Sequence, residues 1–154
     1  MPEPREFFPG LALVAHQITS PQDSQYNCIA WAANDTSRWW EPVAWISPGM
    51  GQIPLSPYYW PSGLPLGDYS TANYVRAFET IGYEVCASGE LDSDHEKIAI
   101  YSKDGRGSHA ARQRVDGVWL SKLGRNVDIE HATPEALEGD QYGQVEILMQ
   151  RPSS

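Results

Sequence analysis

The sequence predicts an α+β fold in which helices precede an antiparallel β-meander. The strongest helical pattern lies at residues 70–82, and the pattern then changes to three short strands at residues 96–102, 108–115 and 118–124. Asp-Gly pairs lie between these strands, and Asp-Gly is a strong signal for a tight hairpin. A length of 154 residues fits one domain with one sizeable core, so residues 1–154 are assigned to a single domain.

Two helices are predicted in the first half of the chain. The shorter helix covers residues 24–34, with Ser24 as its N-cap and Ile29, Ala30, Ala32 and Ala33 compatible with burial. The longer helix covers residues 70–82; Ser70 or Thr71 caps its start and Gly82 ends it. The apolar side of the longer helix consists of Tyr74, Val75, Phe78 and Ile81. A last strand is predicted at residues 144–150.

Residues 38–68 are rich in tryptophan, proline and glycine. Proline at this density excludes a regular helix or a central strand, so the segment is predicted to be a long ordered loop. Ordered loops of this length inside a compact domain are often functional. The large aromatic side chains can pack as an extension of the core or can form the wall of a cleft. They are Trp39, Trp40, Trp45, Tyr58, Tyr59 and Trp60.

The charge of the chain argues against two classes of partner. With 11 Lys and Arg against 20 Asp and Glu, the formal net charge is −9. Binding to nucleic acid or to an anionic membrane surface needs a basic footprint, so neither partner is expected. No apolar run is long enough to span a bilayer, and the N-terminal residues lack the features of a secretory signal. A cytoplasmic location is therefore the expectation, with export by a signal-independent route left open.

Cys28 is the most informative candidate in the sequence. The two cysteines, Cys28 and Cys86, are too few for a disulfide scaffold. Neither CxxC nor HExxH spacing is present, so no metal or other cofactor is expected. A thiol in the first turn of a helix lies near unpaired N–H groups and the positive end of the dipole, which would lower its pKa. Cys28 is therefore the predicted nucleophile, although a small buried hydrophobic residue is the alternative.

A nucleophilic cysteine needs a base, and His109 is the best candidate because it begins a predicted strand after a glycine-rich turn. If the Asp-Gly pair at residues 116–117 is a two-residue turn, strand pairing places Asn126 diagonal to His109 on the same face. Asn126 could then orient the imidazole. On this register Asp128 is the second choice, and Ser121 lies on the other face.

The stretches "NCIAWAA", "KIAIYS" and "SHAARQ…DGVWLSKLG" together resemble the papain-like cysteine hydrolase superfamily, including its cell-wall amidase, peptidase and transglutaminase-like branches. The resemblance implies a core of a Cys-bearing helix packed on an antiparallel sheet, and the order Cys28, His109, Asn126. It also implies that Gln22 or Gln25 contributes to an oxyanion hole, with Trp31 and Trp60 as candidate substrate contacts. The chain also resembles an uncharacterised family of short bacterial proteins.

The predicted function is therefore cysteine-dependent hydrolysis of an amide, in a peptide, a cell-wall peptide stem or a glutamine side chain. Hydrolysis, deamidation and acyl transfer use the same groups, and the sequence leaves the choice open. The alternative is a non-enzymatic binding module on the same fold that uses the aromatic segment 38–68 for recognition. A less favoured third hypothesis is a metal site formed by His109, Cys28 and His131.

Overall fold

A computed structural model of the chain describes residues 16–20, 27–35, 37–47, 51–54, 58–122 and 128–153. The strands, in chain order, are β1 (His16–Ser20), β2 (Trp39–Trp40), β3 (Ala44–Ser47), β4 (Gly51–Pro54), β5 (Tyr58–Tyr59), β6 (Glu84–Cys86), β7 (His95–Lys103), β8 (Arg106–Gln113), β9 (Trp119–Lys122), β10 (Asp128–His131) and β11 (Gln144–Pro152). The helices are α1 (Cys28–Ala32) and α2 (Thr71–Glu79), and a 3-10 turn covers Pro134–Leu137.

Seven of the strands form one antiparallel sheet in the order β1-β10-β9-β8-β7-β11-β6. The consecutive strands β7, β8, β9 and β10 are neighbours, so the predicted meander is confirmed at the centre of the sheet. Strand β11 returns to the other side of β7. The mixed α+β class predicted from the sequence is therefore confirmed.

Helix α2 confirms the strongest sequence prediction. The Ser70 side chain caps it by accepting a hydrogen bond from the backbone N of Asn73 at 3.3 Å. Its buried face includes Tyr74 and Phe78, two of the predicted apolar residues. The helix ends at Glu79, three residues before the predicted Gly82. No helix in the described part of the chain is long and apolar enough to cross a membrane.

The sheet separates two buried layers because successive side chains of a strand point to opposite faces. On one face, Ile98 and Ile100 of β7 pack with both helices and with Ala110. On the other face, Ala99 and Tyr101 pack with the 3-10 turn and neighbouring strands. These two layers are called the helix layer and the turn layer below.

The β8–β9 hairpin differs from the predicted two-residue turn by one residue. Gln113 pairs with Trp119, and the Arg114 backbone N donates to the Val118 carbonyl oxygen at 2.7 Å. The loop therefore has three residues and carries Gly117 at a φ of +92°, a conformation that glycine adopts easily. Side chains alternate between the two faces of a strand. This one-residue change in register therefore means that β9 residues predicted to share a face with a given β8 residue lie on the opposite face.

The described part of segment 38–68 contains short strands rather than a loop without secondary structure. β2 pairs with β5 in parallel and β3 pairs with β4 antiparallel, and neither pair joins the seven-stranded sheet. Trp40 and Trp60 are each 4% exposed and belong to the helix layer. Much of the aromatic surface of this segment is therefore core.

Gly143 is expected to be among the positions least tolerant of substitution. Its φ is +73°, and an added Cβ would overlap the carbonyl oxygen of Ser102. Left-handed strain and overpacking together should make Gly143→Ala less stable by about 2–5 kcal/mol. Gly105 is a matched control because it also has a positive φ, +78°, but no atom lies within 4 Å of an added Cβ. Urea unfolding should show a smaller loss for Gly105→Ala; equal losses would contradict the steric argument.

Candidate functional site

Asn27 fixes the start of α1 and therefore the position of Cys28. Its Oδ1 atom accepts hydrogen bonds from the Ala30 backbone N at 3.0 Å and the Trp40 backbone N at 3.1 Å. Its Nδ2 atom donates to the Trp40 carbonyl oxygen at 2.9 Å. The N-cap is thus Asn27, and the predicted cap, Ser24, lies outside the described residues. One buried amide joins the first turn of α1 to β2.

The thiol of Cys28 is buried and neutral. The residue is 9% exposed, and burial raises the pKa of its thiol to about 11. The backbone N–H groups of Ala110, Ile29 and Cys28 face the sulfur and lower the pKa, but they do not offset burial, and Glu41 raises it further. The predicted lowering of this pKa is wrong, because the dipole of a five-residue helix is outweighed by desolvation.

His109 lies on β8 with its ring fully buried in the turn layer. The ring stacks on Tyr142 with centroids 4.0 Å apart and planes at 5°, and it meets Tyr101 edge-on at 5.0 Å. Burial holds the pKa of His109 well below its usual range, and the neighbouring His131 lowers it further. The neutral imidazole is the form that can accept a proton.

A chain of hydrogen bonds fixes the tautomer of His109. His131 Nδ1 lies 2.7 Å from the Thr133 carbonyl oxygen, which can only accept, so this nitrogen carries the proton. In a neutral His131 ring, Nε2 then accepts from the Ser121 hydroxyl at 2.8 Å. The Ser121 oxygen, 3.0 Å from His109 Nε2, therefore accepts from that nitrogen. His109 Nδ1 is left as a bare acceptor with no hydrogen-bond partner in the described part of the chain.

Among the described residues, the side chain that hydrogen-bonds the His109 ring is Ser121. The prediction placed Ser121 on the other face of the hairpin, and this is wrong because the three-residue loop shifts the register by one residue. The same shift removes the geometric argument for Asn126, which itself lies outside the described residues. Asp128, the second choice, is the first residue of β10 and pairs with Lys122.

Cys28 and His109 approach the sheet from opposite faces. Ala110 packs in the helix layer with Cys28, and the adjacent His109 projects into the turn layer. In the described residues, the pairing of β8 with β9 begins at Arg112 and Leu120, which is two residues after Ala110 along β8. The thiol therefore reaches the Ala110 amide at the edge of the ladder. No hydrogen bond joins the two side chains, because His109 Nδ1 has no partner in the described part of the chain and Nε2 bonds Ser121.

The remaining predicted site residues are distributed as follows. Trp31, in α1, lies under the Arg112 guanidinium at 4.3 Å from the ring centroid. Trp60 packs edge-on against Tyr74 at 5.2 Å, and burial together with the nearby Cys28 raises the pKa of Tyr74. Trp60 therefore belongs to the surroundings of Cys28, whereas Trp31 faces a different neighbour. The two oxyanion candidates, Gln22 and Gln25, lie outside the described residues.

The alternative cysteine and metal arrangements gain no support within the residues that the structure describes. Cys28 and Cys86 are both free thiols, and the Cys86 sulfur lies 3.5 Å from the Ser88 carbonyl oxygen. No three His, Cys, Asp or Glu side chains come together there in a way that could hold a metal ion. The hypothesis of a site formed by His109, Cys28 and His131 therefore lacks a ligand cluster.

A protein-family model described as a domain of unknown function, DUF7689, matches residues 17–150. The chain belongs to the DUF7689 family. No curated protein and no solved structure matches it. In this DUF7689 member, the chemical interpretation therefore rests on the geometry of its own residues.

Three residues that surround the His109 imidazole in this DUF7689 protein were not predicted as its neighbours: Ser121, His131 and Tyr142. Ser121 could have been found from a three-residue hairpin loop, since Asp-Gly also fits a loop with glycine in the left-handed position. His131 was considered as a ligand in the metal-site hypothesis but not as a residue that supports the His109 imidazole through Ser121. Tyr142 gave no local signal, because its contact with His109 joins distant parts of the chain.

Proposed function

We propose that this DUF7689 protein is a cysteine-dependent amide hydrolase in which Cys28 is the nucleophile and His109 is the base. One observation carries the proposal: the tautomer of buried His109 leaves Nδ1 as a bare acceptor. The next residue, Ala110, presents its amide to the Cys28 thiol. We further propose that α1 and the central strands correspond to a papain-like core within a single domain.

Cys28 and His109 would act from a neutral resting state rather than as a preformed ion pair. The Cys28 thiol has a raised pKa and the His109 imidazole a lowered one, so proton transfer would accompany bond formation, as in the serine hydrolases. Because the two side chains lie on opposite faces of the sheet with no hydrogen bond between them, the reaction requires them to meet at the edge of the β8–β9 ladder. There the sulfur attacks the amide carbon, the thiol proton moves to Nδ1 of His109, and the carbonyl oxygen gains negative charge. The His109 proton then goes to the leaving nitrogen as the C–N bond breaks.

Water completes the reaction by attacking the thioester carbon, giving the acid and regenerating the thiol. Ser121 would hold the imidazole by accepting from its Nε2–H, the role that the sequence analysis assigned to Asn126, and His131 in turn accepts from the Ser121 hydroxyl. The N–H groups of Cys28 and Ala110 are donors beside the sulfur and would stabilise negative charge that develops there. No cofactor is needed for these steps.

The substrate class proposed is an amide in a peptide, a cell-wall peptide stem or a glutamine side chain. Trp60 is the best-supported contact among the predicted ones, because its buried Nε1 has no hydrogen-bond partner in the described part of the chain. An indole N–H that is buried and unsatisfied can donate to a carbonyl oxygen of a ligand.

Turnover of a panel of fluorogenic aminoacyl coumarin amides, together with ammonia release from glutamine peptides, tests the proposal. Cys28→Ala and Cys28→Ser should abolish turnover, whereas Cys86→Ala should retain it, because Cys86 lies far along the chain in β6 with a carbonyl oxygen as its neighbour. Turnover that survives Cys28→Ala in folded protein would contradict the assignment of the nucleophile.

The second candidate function is the binding module that uses the aromatic segment. The surface that remains for recognition is smaller than the sequence suggested, because Trp40 and Trp60 are buried in the helix layer. Tyr58 and Tyr59 are half-buried, and the Arg38 guanidinium lies 3.6 Å from the centroid of the Tyr59 ring. A binder of this kind would bind its partner equally well with Cys28→Ala, which separates it from the hydrolase.

A further inference from the structure

A cleft of about 320 Å³ lies at the end of α1 away from Cys28. Ala32 and Asn34 form one wall, and the strands contribute Arg112 and Arg151 among the lining residues. This volume is within the range of pockets that hold small molecules, roughly 300–1,000 Å³. Neither Cys28 nor His109 lines the cleft, so it is a site separate from the proposed catalytic pair.

The charge of the cleft is opposite to the charge of the chain. Four basic side chains line it, Lys97, Arg112, Arg114 and Arg151, against two acidic ones, Asp92 and Glu96. The whole sequence has 11 Lys and Arg against 20 Asp and Glu. A concave surface with an excess of one sign of charge attracts ligands of the other sign.

Two of the arginines are held in fixed planes by aromatic rings. The Arg112 guanidinium lies 4.3 Å from the Trp31 ring centroid and donates to Asn34 Oδ1 at 2.6 Å. The Arg151 guanidinium lies 4.6 Å from the Tyr83 ring centroid. A planar guanidinium that is already ordered loses little entropy when it binds a carboxylate or phosphate.

Arg151 retains donors for a ligand. A guanidinium has five N–H donors. Two of its groups are engaged, Nε with Glu96 and Nη1 with the Ile81 carbonyl oxygen at 2.9 Å. Arg114, in contrast, is engaged by Asp116 and Glu130, each at 2.7 Å, and is already neutralised.

Two exposed aliphatic side chains line the cleft. Leu91 is 52% exposed and Val115 is 93% exposed, and both line the cleft. They are two of the three exposed large hydrophobic side chains in the described part of the chain. Exposed aliphatic groups beside ordered arginines suit a ligand with an apolar body and an anionic group.

We infer that this cleft binds a small organic anion, a molecule with a carboxylate or phosphate group on an apolar body. Arg112 and Arg151 hold the anionic part, and Leu91 and Val115 cover the apolar part. Glu96 opposes the ligand electrostatically, because its carboxylate lies in the same cleft beside Arg151.

Fluorescence titration of the full chain with 8-anilinonaphthalene-1-sulfonate tests this inference, with N-phenyl-1-naphthylamine as the uncharged counterpart. We expect saturable binding of the sulfonate and at least about tenfold weaker binding of the uncharged probe. Arg112→Gln and Arg151→Gln should each weaken sulfonate binding by about tenfold, and Arg38→Gln, outside the cleft, should not. Displacement by phenyl phosphate or by phenylacetate then distinguishes a phosphate from a carboxylate ligand.

Glu96→Gln tests the electrostatic part of the inference, because a purely structural role for the Glu96–Arg151 ion pair would not predict stronger binding in this variant. Removing this carboxylate should strengthen sulfonate binding, even though the ion pair with Arg151 is lost. The inference is overturned if the uncharged probe binds as tightly as the sulfonate, if the arginine variants bind it as the natural chain does, or if Glu96→Gln fails to strengthen binding.

Discussion

Ser121→Ala is expected to destabilise the protein by about 2–5 kcal/mol, a large loss for the removal of one oxygen atom. The Ser121 hydroxyl is fully buried and bonds both imidazoles, at 3.0 Å to His109 and 2.8 Å to His131. Without it, His109 keeps no hydrogen bond to any described residue, because its other nitrogen already has none. A buried polar group without a partner carries its full desolvation penalty.

Urea unfolding monitored by tryptophan fluorescence would measure the loss. Ser108→Ala is the matched control, because Ser108 is half-buried and its hydroxyl bonds a single carbonyl oxygen, that of Tyr142. Its free energy of unfolding should change by about 1 kcal/mol or less. A Ser121→Ala variant as stable as Ser108→Ala would contradict the hydrogen-bond chain.

Acid should weaken the fold in a pH range above that in which carboxylates titrate. The pKa of His109 is well below its ordinary value of about 6.5 in the folded chain, because the ring is buried. Below that ordinary value the unfolded chain binds a proton that the folded chain excludes. Stability therefore falls as pH decreases from about 6.5, by about 1.4 kcal/mol per pH unit from this one group.

Above about pH 6.5 both states hold a neutral His109, and its contribution does not change with pH. The groups that face the ring are Tyr101, Tyr142, Ser121 and His131, and none of them is a carboxylate that could stabilise an imidazolium. Urea unfolding should show this slope in the natural chain between about pH 5 and pH 6.5 and no His109 contribution from there to about pH 7.5; below about pH 6.5 the slope should be about 1.4 kcal/mol per unit smaller in His109→Gln. Equal slopes in the two chains would show that His109 titrates normally.

Asp116 loses its stabilising effect in a separate, more acidic range. The Arg114 guanidinium holds the pKa of Asp116 at about 2, below its ordinary value of about 3.8. Its contribution is complete above that ordinary value and disappears as pH falls through the folded-state pKa. The exposed position of this pair limits the effect, which begins at a lower pH than the loss due to His109.

The parts of the fold that the sequence predicted well are those with strong local signals. Ser70 caps α2 and the spacing of Tyr74 and Phe78 shows its buried face, so this helix depends on little outside itself. Strands β7 and β11 are long, and both were predicted within a few residues. Strand β1 was not predicted, because it pairs with β10, which is more than 100 residues away in sequence.

The candidate site was predicted less well because its chemistry depends on register and burial. An error of one residue in the β8–β9 loop was enough to select Asn126 and to reject Ser121, since side chains alternate between faces. The raised pKa of Cys28 comes from the layers that cover it, and the helix-start position alone suggests the opposite direction. The burial of a side chain and its pairing across the sheet depend on tertiary structure, so they cannot be predicted from composition and residue spacing alone.

The central claim is that Cys28 and His109 act together, and acetyl transfer from p-nitrophenyl acetate tests it most directly. Site-resolved mass spectrometry of the folded chain should find acetyl groups on Cys28, with the rate reduced by at least about tenfold in His109→Gln and unchanged in Cys86→Ala. A folded chain whose Cys28 stays unmodified, or is modified equally fast without His109, would contradict the account and make Cys28 a core residue.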